Sequence, residues 1–385
     1  MLYGNSHGVL TPCPGPKSFV CSLLGWLALL CAMPATSGEL KTQNLILVTL
    51  DGVRVQEVFS GLDEAIAIHD QQQIYSEIDT GRARYGQGGP ELRRAALLPN
   101  LWNRLAPQGM VLGNPAYDNH VKVQNRILWS TPGYTEMMTG GPKHEVTDNE
   151  NYRFPFRTAL DLAQQELGLQ FGDIAQIGSW DGFKLAASGS DGGFLMVGAH
   201  EAIPPPYNTP ETDYLAKLRR EVMGLWEEGS DDVLTFHMVS AFVQKNQPRV
   251  LWWALKDSDD WAHSDRYDRY LEFLHMADRL VGELWDTIQG MDFYRDKTTL
   301  IITGDHGRGL QGKDWAEHDI TIPGSDDIWL AVIGPDTPDL GEMTTPGTVY
   351  QGQVAATMLH YLGVDYRKLD PNALPPVPAT TQTVE

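Results

Sequence analysis

The chain has 385 residues, with 29 Lys and Arg against 50 Asp and Glu, a net charge of −21 at neutral pH. A surface this acidic repels polyanions, which argues against non-specific binding to nucleic-acid polymers or anionic membranes. A small anionic substrate would need strong local positive charge, and bound divalent cations can supply it.

In chain order, residues 1–37 come first. They hold one basic residue, Lys17, and no acid, then the apolar run Phe19–Met33 and the stretch Pro34-Ala35-Thr36-Ser37-Gly38. This is the pattern of a secretory signal with Ala35 and Ser37 as small cleavage residues. The run is short of the ~20 residues a membrane span requires, so a stable anchor is not expected. Export to a periplasmic or secreted location is. Cys13, Cys21 and Cys31 all lie in this leader, so the mature chain would hold no thiol, and any metal would be bound by His, Asp and hydroxyl oxygen. A disulfide-free exported chain suits a bacterial periplasm. Without the leader, 28 basic residues face 50 acidic ones, a net charge of −22.

Residues 38–385 read as one domain, since no linker, low-complexity tract or repeat divides them. Short apolar runs rich in branched residues alternate with amphipathic patterns, which predicts an α/β fold with a mostly parallel central sheet, helices on both faces and loop insertions. The strands expected are Asn44–Leu50, Val250–Leu255, Thr299–Thr303 and Ile328–Ile333, each apolar on both faces as a buried strand would be. The helices expected are Thr158–Leu167, Thr212–Glu227, Tyr267–Ile288 and Gln351–Leu362. Residues 62–98 show no clean period and read as an insertion; 203–210 read as a loop and 371–380 as a frayed end.

Three of those strands deliver carboxylates or imidazoles at their carboxyl ends. Asn44–Leu50 is followed by Asp51-Gly52, Val250–Leu255 by Asp257, Asp259, Asp260 and His263, and Thr299–Thr303 by Gly304-Asp305-His306-Gly307. In an open parallel sheet, that edge is where ligands bind. Asp259 and His263, four apart, can share one side of a helical turn; Asp305 and His306 can straddle two cations. His318 is placed to complete a site.

The stretch "ILWSTPGYTEMMTGG", residues 127–141, runs from an apolar segment into a helix. Taken alone, Ser130 before Thr131-Pro132 reads first as a helix cap, and second as a hydroxyl held where amides and the helix dipole favour an anion.

Taken together, these motifs resemble the alkaline phosphatase superfamily, most closely its nucleotide pyrophosphatase/phosphodiesterase branch. "LVTLDG" resembles the strand ending in a metal-binding Asp, "STPGYTEMMTG" the nucleophile segment, and "EVTDN" the stretch carrying a phosphate-holding Asn. The resemblance implies a metallohydrolase acting on a small phosphate ester, with Ser130 as nucleophile and Asn149 holding phosphate oxygens. It implies two divalent ions, expected to be zinc. One would take Asp259, His263 and His318; the other would take Asp51, Asp305, His306 and the Ser130 oxygen. The sequence departs from that branch in having Ser for Thr at the nucleophile, and Gly133-Tyr134 where the branch has Asn-His.

Competing readings share the superfamily. Sulfatases place Arg two residues after the motif's Pro, where this chain has Tyr134, and cofactor-independent phosphoglycerate mutases carry an inserted domain that is not evident here. A non-catalytic relative would lack a ligand or nucleophile, and none is missing. Between phosphate diesters and monoesters the sequence favours diesters, because Trp129 and Tyr134 near Ser130 suggest an apolar wall. Arg126 and Lys143 are the candidates for a monoester-binding cation.

Overall fold

A computed structural model describes residues 40–149, 153–190 and 193–381; the expected leader lies outside the described residues. The strands are β1 (Asn44–Leu50), β2 (Gly109–Leu112), β3 (Asn119–Lys122), β4 (Ile174–Gly178), β5 (Leu195–Val197), β6 (Val250–Leu255), β7 (Thr298–Thr303), β8 (Asp327–Ile328), β9 (Leu330–Ile333), β10 (Gly341–Glu342) and β11 (Gly347–Tyr350). Eight form one sheet in the order β10-β2-β9-β7-β1-β6-β4-β5, and β11-β3-β8 form a second. In the large sheet β9 alone runs against its neighbours; the rest is parallel, as the sequence pattern predicts.

Both faces of the sheet are covered. Along β1, Ile46, Val48 and Leu50 enter one apolar core and Leu45 and Leu47 the other, which is the two-residue alternation of a strand buried on both sides. The long helix Tyr267–Gln289 packs into the first core, while the helices Ser130–Thr139, Ala159–Leu167 and Gln353–Tyr361 pack into the second.

Strand register sets the site. β1 lies between β6 and β7, with Leu50 opposite Leu255 and Thr49 opposite Thr303. Three strands therefore end level, and Asp51, the segment from Lys256 and the segment from Gly304 leave the sheet at one edge.

Several expectations change. Ile328–Ile333 is two strands in two sheets, because the Trp329 carbonyl turns to accept the Thr303 hydroxyl at 2.6 Å. The helix expected over 212–227 begins at Pro210, behind the Thr209 cap, and stops at Glu221, where Val222 becomes extended. Residues 62–98 hold three short helices, Glu64–Asp70, Ile78–Tyr85 and Pro90–Leu97. The tail is not frayed: the Val377 amide bonds the Thr357 hydroxyl at 3.0 Å, and Val377 is buried. The helix Asp232–Asn246 escapes the sequence pattern because its apolar residues, among them Phe236, Val239, Phe242 and Val243, leave no clear polar stripe.

Candidate metal centre and nucleophile

At the end of β1, Asp51 is buried, and both carboxylate oxygens are engaged. Tyr134 Oη donates to Oδ2 at 3.2 Å and Ser130 Oγ to Oδ1 at 3.5 Å. Tyr134 is itself fully buried against Phe183 and Trp252. Burial, then Asp305 and Asp51, hold its hydroxyl well above the usual tyrosine range, so it stays a donor. The apolar wall expected from Tyr134 is therefore absent: the ring is core, and its hydroxyl orients a carboxylate.

Ser130 is the first residue of the helix Ser130–Thr139, and Trp129 occupies the N-cap position without a side-chain cap bond. The cap reading of Ser130 fails. The Thr131 amide is satisfied instead by Asn149 Oδ1 at 2.9 Å. That bond turns the Asn149 carbonyl toward the helix and leaves its amino group as the donating end. Gly133 explains the other departure from the family pattern, since a Cβ there would lie 2.6 Å from the Asp305 carbonyl oxygen. The missing side chain lets the nucleophile helix sit on the Asp305 backbone.

Asp259 and His263 share one side of the short helix Asp257–His263, with Oδ2 3.3 Å from Nε2. His318 Nε2 stands 3.1 Å from His263 Nε2. Its Nδ1 donates to the Leu128 carbonyl at 2.6 Å, and His306 Nδ1 donates to the Gly307 carbonyl at 3.0 Å. A carbonyl can only accept, so in both rings Nε2 is the nitrogen left to bind a cation. His306 Nε2 lies 3.4 Å from Asp51 Oδ1 and 3.4 Å from Asp305 Oδ2, and its ring stacks on His318 with centroids 3.7 Å apart.

Two groups of ligand atoms result, Asp259-His263-His318 and Asp51-Asp259-His306, each with its atoms within 4.8 Å of one another. Asp259 belongs to both, which the family pattern does not imply. Asp305 stands beside the second group, with Oδ1 accepting the Gly52 amide at 3.0 Å. Its Oδ2 and His306 Nε2 are buried without a hydrogen-bond partner. Buried polar atoms left this way are costly unless something else engages them, and oxygen and imidazole donors converging on one point suit a divalent cation. The residues present fit metal binding.

The electrostatics agree. Burial and the His306 charge hold His263 below its ordinary value, and burial with the same neighbour holds His318 well below it, so both are neutral ligands near pH 7. Burial and Asp51 push the Asp305 carboxyl up, to about 8. Burial works against the His306 charge, but Asp305 and Asp51 outweigh it and raise the group to about 9. Carboxylates this crowded call for added positive charge.

A cleft of about 260 Å³ opens over these groups, lined by Asp51, Ser130, Asn149, Asp259 and His263 and also by Trp180, Trp226, Glu228, Lys256 and Asp260. Two cations here escaped the sequence reading. Lys256 directly follows β6 and bonds Asp257 at 2.8 Å and also Asp260. Arg308, two residues after His306, is buried and bonded to Asp259. Lys143 pairs with Asp370 at 3.3 Å, and Arg126 is exposed outside the cleft lining, so neither supplies the cation once considered for them.

Residues 228–366 match the family model of the Metalloenzyme superfamily, a span that includes Asp259, His263, Asp305, His306 and His318. No curated protein matches the sequence. Among solved structures, the chain is similar to the phosphonate monoester hydrolase of Agrobacterium radiobacter (TM-score 0.51, 11% identity, 83% of this chain and 74% of that one). It is also similar to a 2-O GAG sulfatase (TM-score 0.50, 12% identity, 84% and 71%). A protein of the alkaline phosphatase superfamily from Vibrio parahaemolyticus aligns with TM-score 0.49 at 16% identity over 84% and 67%. The likeness to these structures is one of fold, a large mostly parallel sheet with helices on both faces. These structures do not single out the nucleotide pyrophosphatase/phosphodiesterase branch. Among the described residues, no helix is long and apolar enough to cross a membrane.

Proposed function

We propose that this chain is an exported two-metal hydrolase of phosphoric esters, acting on phosphodiesters in preference to monoesters, with Ser130 as nucleophile. The observation that carries the reading is the placement of Ser130 Oγ at a helix start, against Asp51, in the same cleft as both ligand groups. Bound ions, zinc by the His and Asp donor set, would supply Lewis-acid charge and lower the hydroxyl pKa. Asp259, His263 and His318 would hold one, and Asp51, His306 and Asp305 the other, with Asp259 between them. Ser130 Oγ attacks phosphorus, the alcohol departs with a proton, and water then opens the phosphoryl-serine. Asn149, oriented by Thr131, donates to a non-bridging oxygen.

The ester class follows from charge. Asp51, Asp259 and Asp305 contribute three negative charges and Arg308 one positive; two divalent ions bring the centre to two positive. The Ser130 alkoxide and a singly charged diester neutralise it, whereas a doubly charged monoester leaves an uncompensated negative charge in a site of low dielectric. Lys256 adds no positive charge to the sum, because Asp257 and Asp260 pair with it and outnumber it.

The test compares kcat/KM for an aryl methyl phosphodiester, the matching aryl phosphate and the matching aryl sulfate on purified protein. A monoester preference overturns the ester class, and turnover of sulfate alone overturns phosphoric ester hydrolysis. Periplasmic or secreted location is checked by fractionation of cells expressing the full chain.

A further inference from the structure

We propose that Arg308 is a positioning residue that assembles the metal ligands before any ion arrives; this rests on reading the Asp and His groups as a metal centre. Arg308 is 1% exposed, and its guanidinium reaches three of the segments that carry candidate ligands. Nε donates to the Gly52 carbonyl at 3.2 Å, next to Asp51, and Nη1 to the Ala316 carbonyl at 2.6 Å, two residues before His318. Nη2 donates to the Asp259 carbonyl at 3.4 Å and to Asp259 Oδ1. Arg308 itself follows His306 by two residues, so one side chain ties together residues 51–52, 259, 306 and 316–318.

The chemistry of the group fits the task. A guanidinium carries five donors in a fixed plane and stays charged; burial brings Arg308 down only to about 9. It restrains Asp259, the one carboxylate shared by both ligand groups, and leaves Oδ2 facing His263. The backbone makes room for it: Gly52 has φ of +60°, and a Cβ there would stand 2.7 Å from Arg308 Nε and 2.8 Å from Asp259 Oδ1. A lysine would keep the charge but could not span three segments.

Equilibrium dialysis against buffered free Zn²⁺ tests this on the wild type, Arg308→Met, Arg308→Lys and Gly52→Ala, with circular dichroism as the check on folding. The wild type should retain two ions. Arg308→Met and Arg308→Lys should each lose about 10- to 100-fold in affinity for at least one of them, the size seen when partners of metal ligands are removed. Gly52→Ala, which crowds both the guanidinium and Asp259 Oδ1, should shift in the same direction. Wild-type affinity in Arg308→Met, or full rescue by Arg308→Lys, overturns the proposal. If Arg308→Met does not fold, Arg308→Lys, which keeps the buried charge, decides the matter. A wild type that retains no zinc overturns the metal-centre reading itself and this proposal with it.

Discussion

The buried ligand groups, the inner end of the site, and the exposed segment that carries Trp226 to the cleft, its outer end, are built differently. At the inner end Asp51, Asp305, His306 and Arg308 are at most 2% exposed, and Asp51, Asp305 and Arg308 are bonded to segments remote in sequence. At the outer end, the segment after the helix Pro210–Glu221 leaves Met223 94%, Trp226 52% and Leu225 49% exposed. That segment is fastened where the Ser230 amide meets the Ser179 carbonyl at 2.8 Å and Gly229 bridges Trp180. The inner end is thus a platform fixed by buried bonds, and the outer end is an exposed surface held at few points.

The sharpest way to break this contrast is Ser130→Ala. Turnover should fall by about three orders of magnitude or more, as expected when a nucleophile is removed. Because Trp129 rather than Ser130 holds the cap position, thermal stability should stay within about 0.5 kcal/mol. An active Ala variant would show that the platform does not work through this hydroxyl.

Chelation comes next. Stripping ions should abolish activity and lower the melting temperature together, because Asp305 Oδ2 and His306 Nε2 are then buried without partners. An unchanged melting temperature would mean that the inner end is rigid without ions.

Tyr134→Phe should have an intermediate effect. It removes the bond to Asp51 and keeps the packing against Phe183 and Trp252, so stability should fall by about 1 kcal/mol and metal affinity by about 10-fold or more. A wild-type metal affinity would show that the hydroxyl is incidental.

The smallest effect on stability is expected at the outer end. Trp226→Ala should leave the melting temperature and the turnover of the smallest diester nearly unchanged. It should raise KM for diesters with bulky second substituents, measured across a substituent series. Equal loss for every substrate would make Trp226 part of the platform.

What the sequence disclosed follows the same division. β1, β6 and β7 were legible because a strand buried on both faces reads as an unbroken apolar run, and the residues after such runs were legible because a parallel sheet gathers them at one edge. Tyr134 was misplaced because its neighbour Ser130 suggested a substrate wall, while only the packing of Phe183 and Trp252 shows the ring to be core. Lys256 and Arg308 were passed over because a basic residue beside acidic ones looks like a solvated pair until burial is known. The break at Trp329 depends on a tertiary bond from Thr303, which no local pattern contains.

The level ends of β1, β6 and β7 bear on the order of events in the life of the chain. Asp51, Asp259, His306 and His318 meet only once strands far apart in sequence have paired in register. Before that, an extended chain offers an ion nothing better than the local pairs Asp259 with His263 and Asp305 with His306, which chelate weakly because ordering the chain around them opposes binding. Ion capture is therefore late, following completion of the sheet. If the chain crosses a membrane unfolded, its metal complement is set by the compartment in which it folds and not by the one in which it was made.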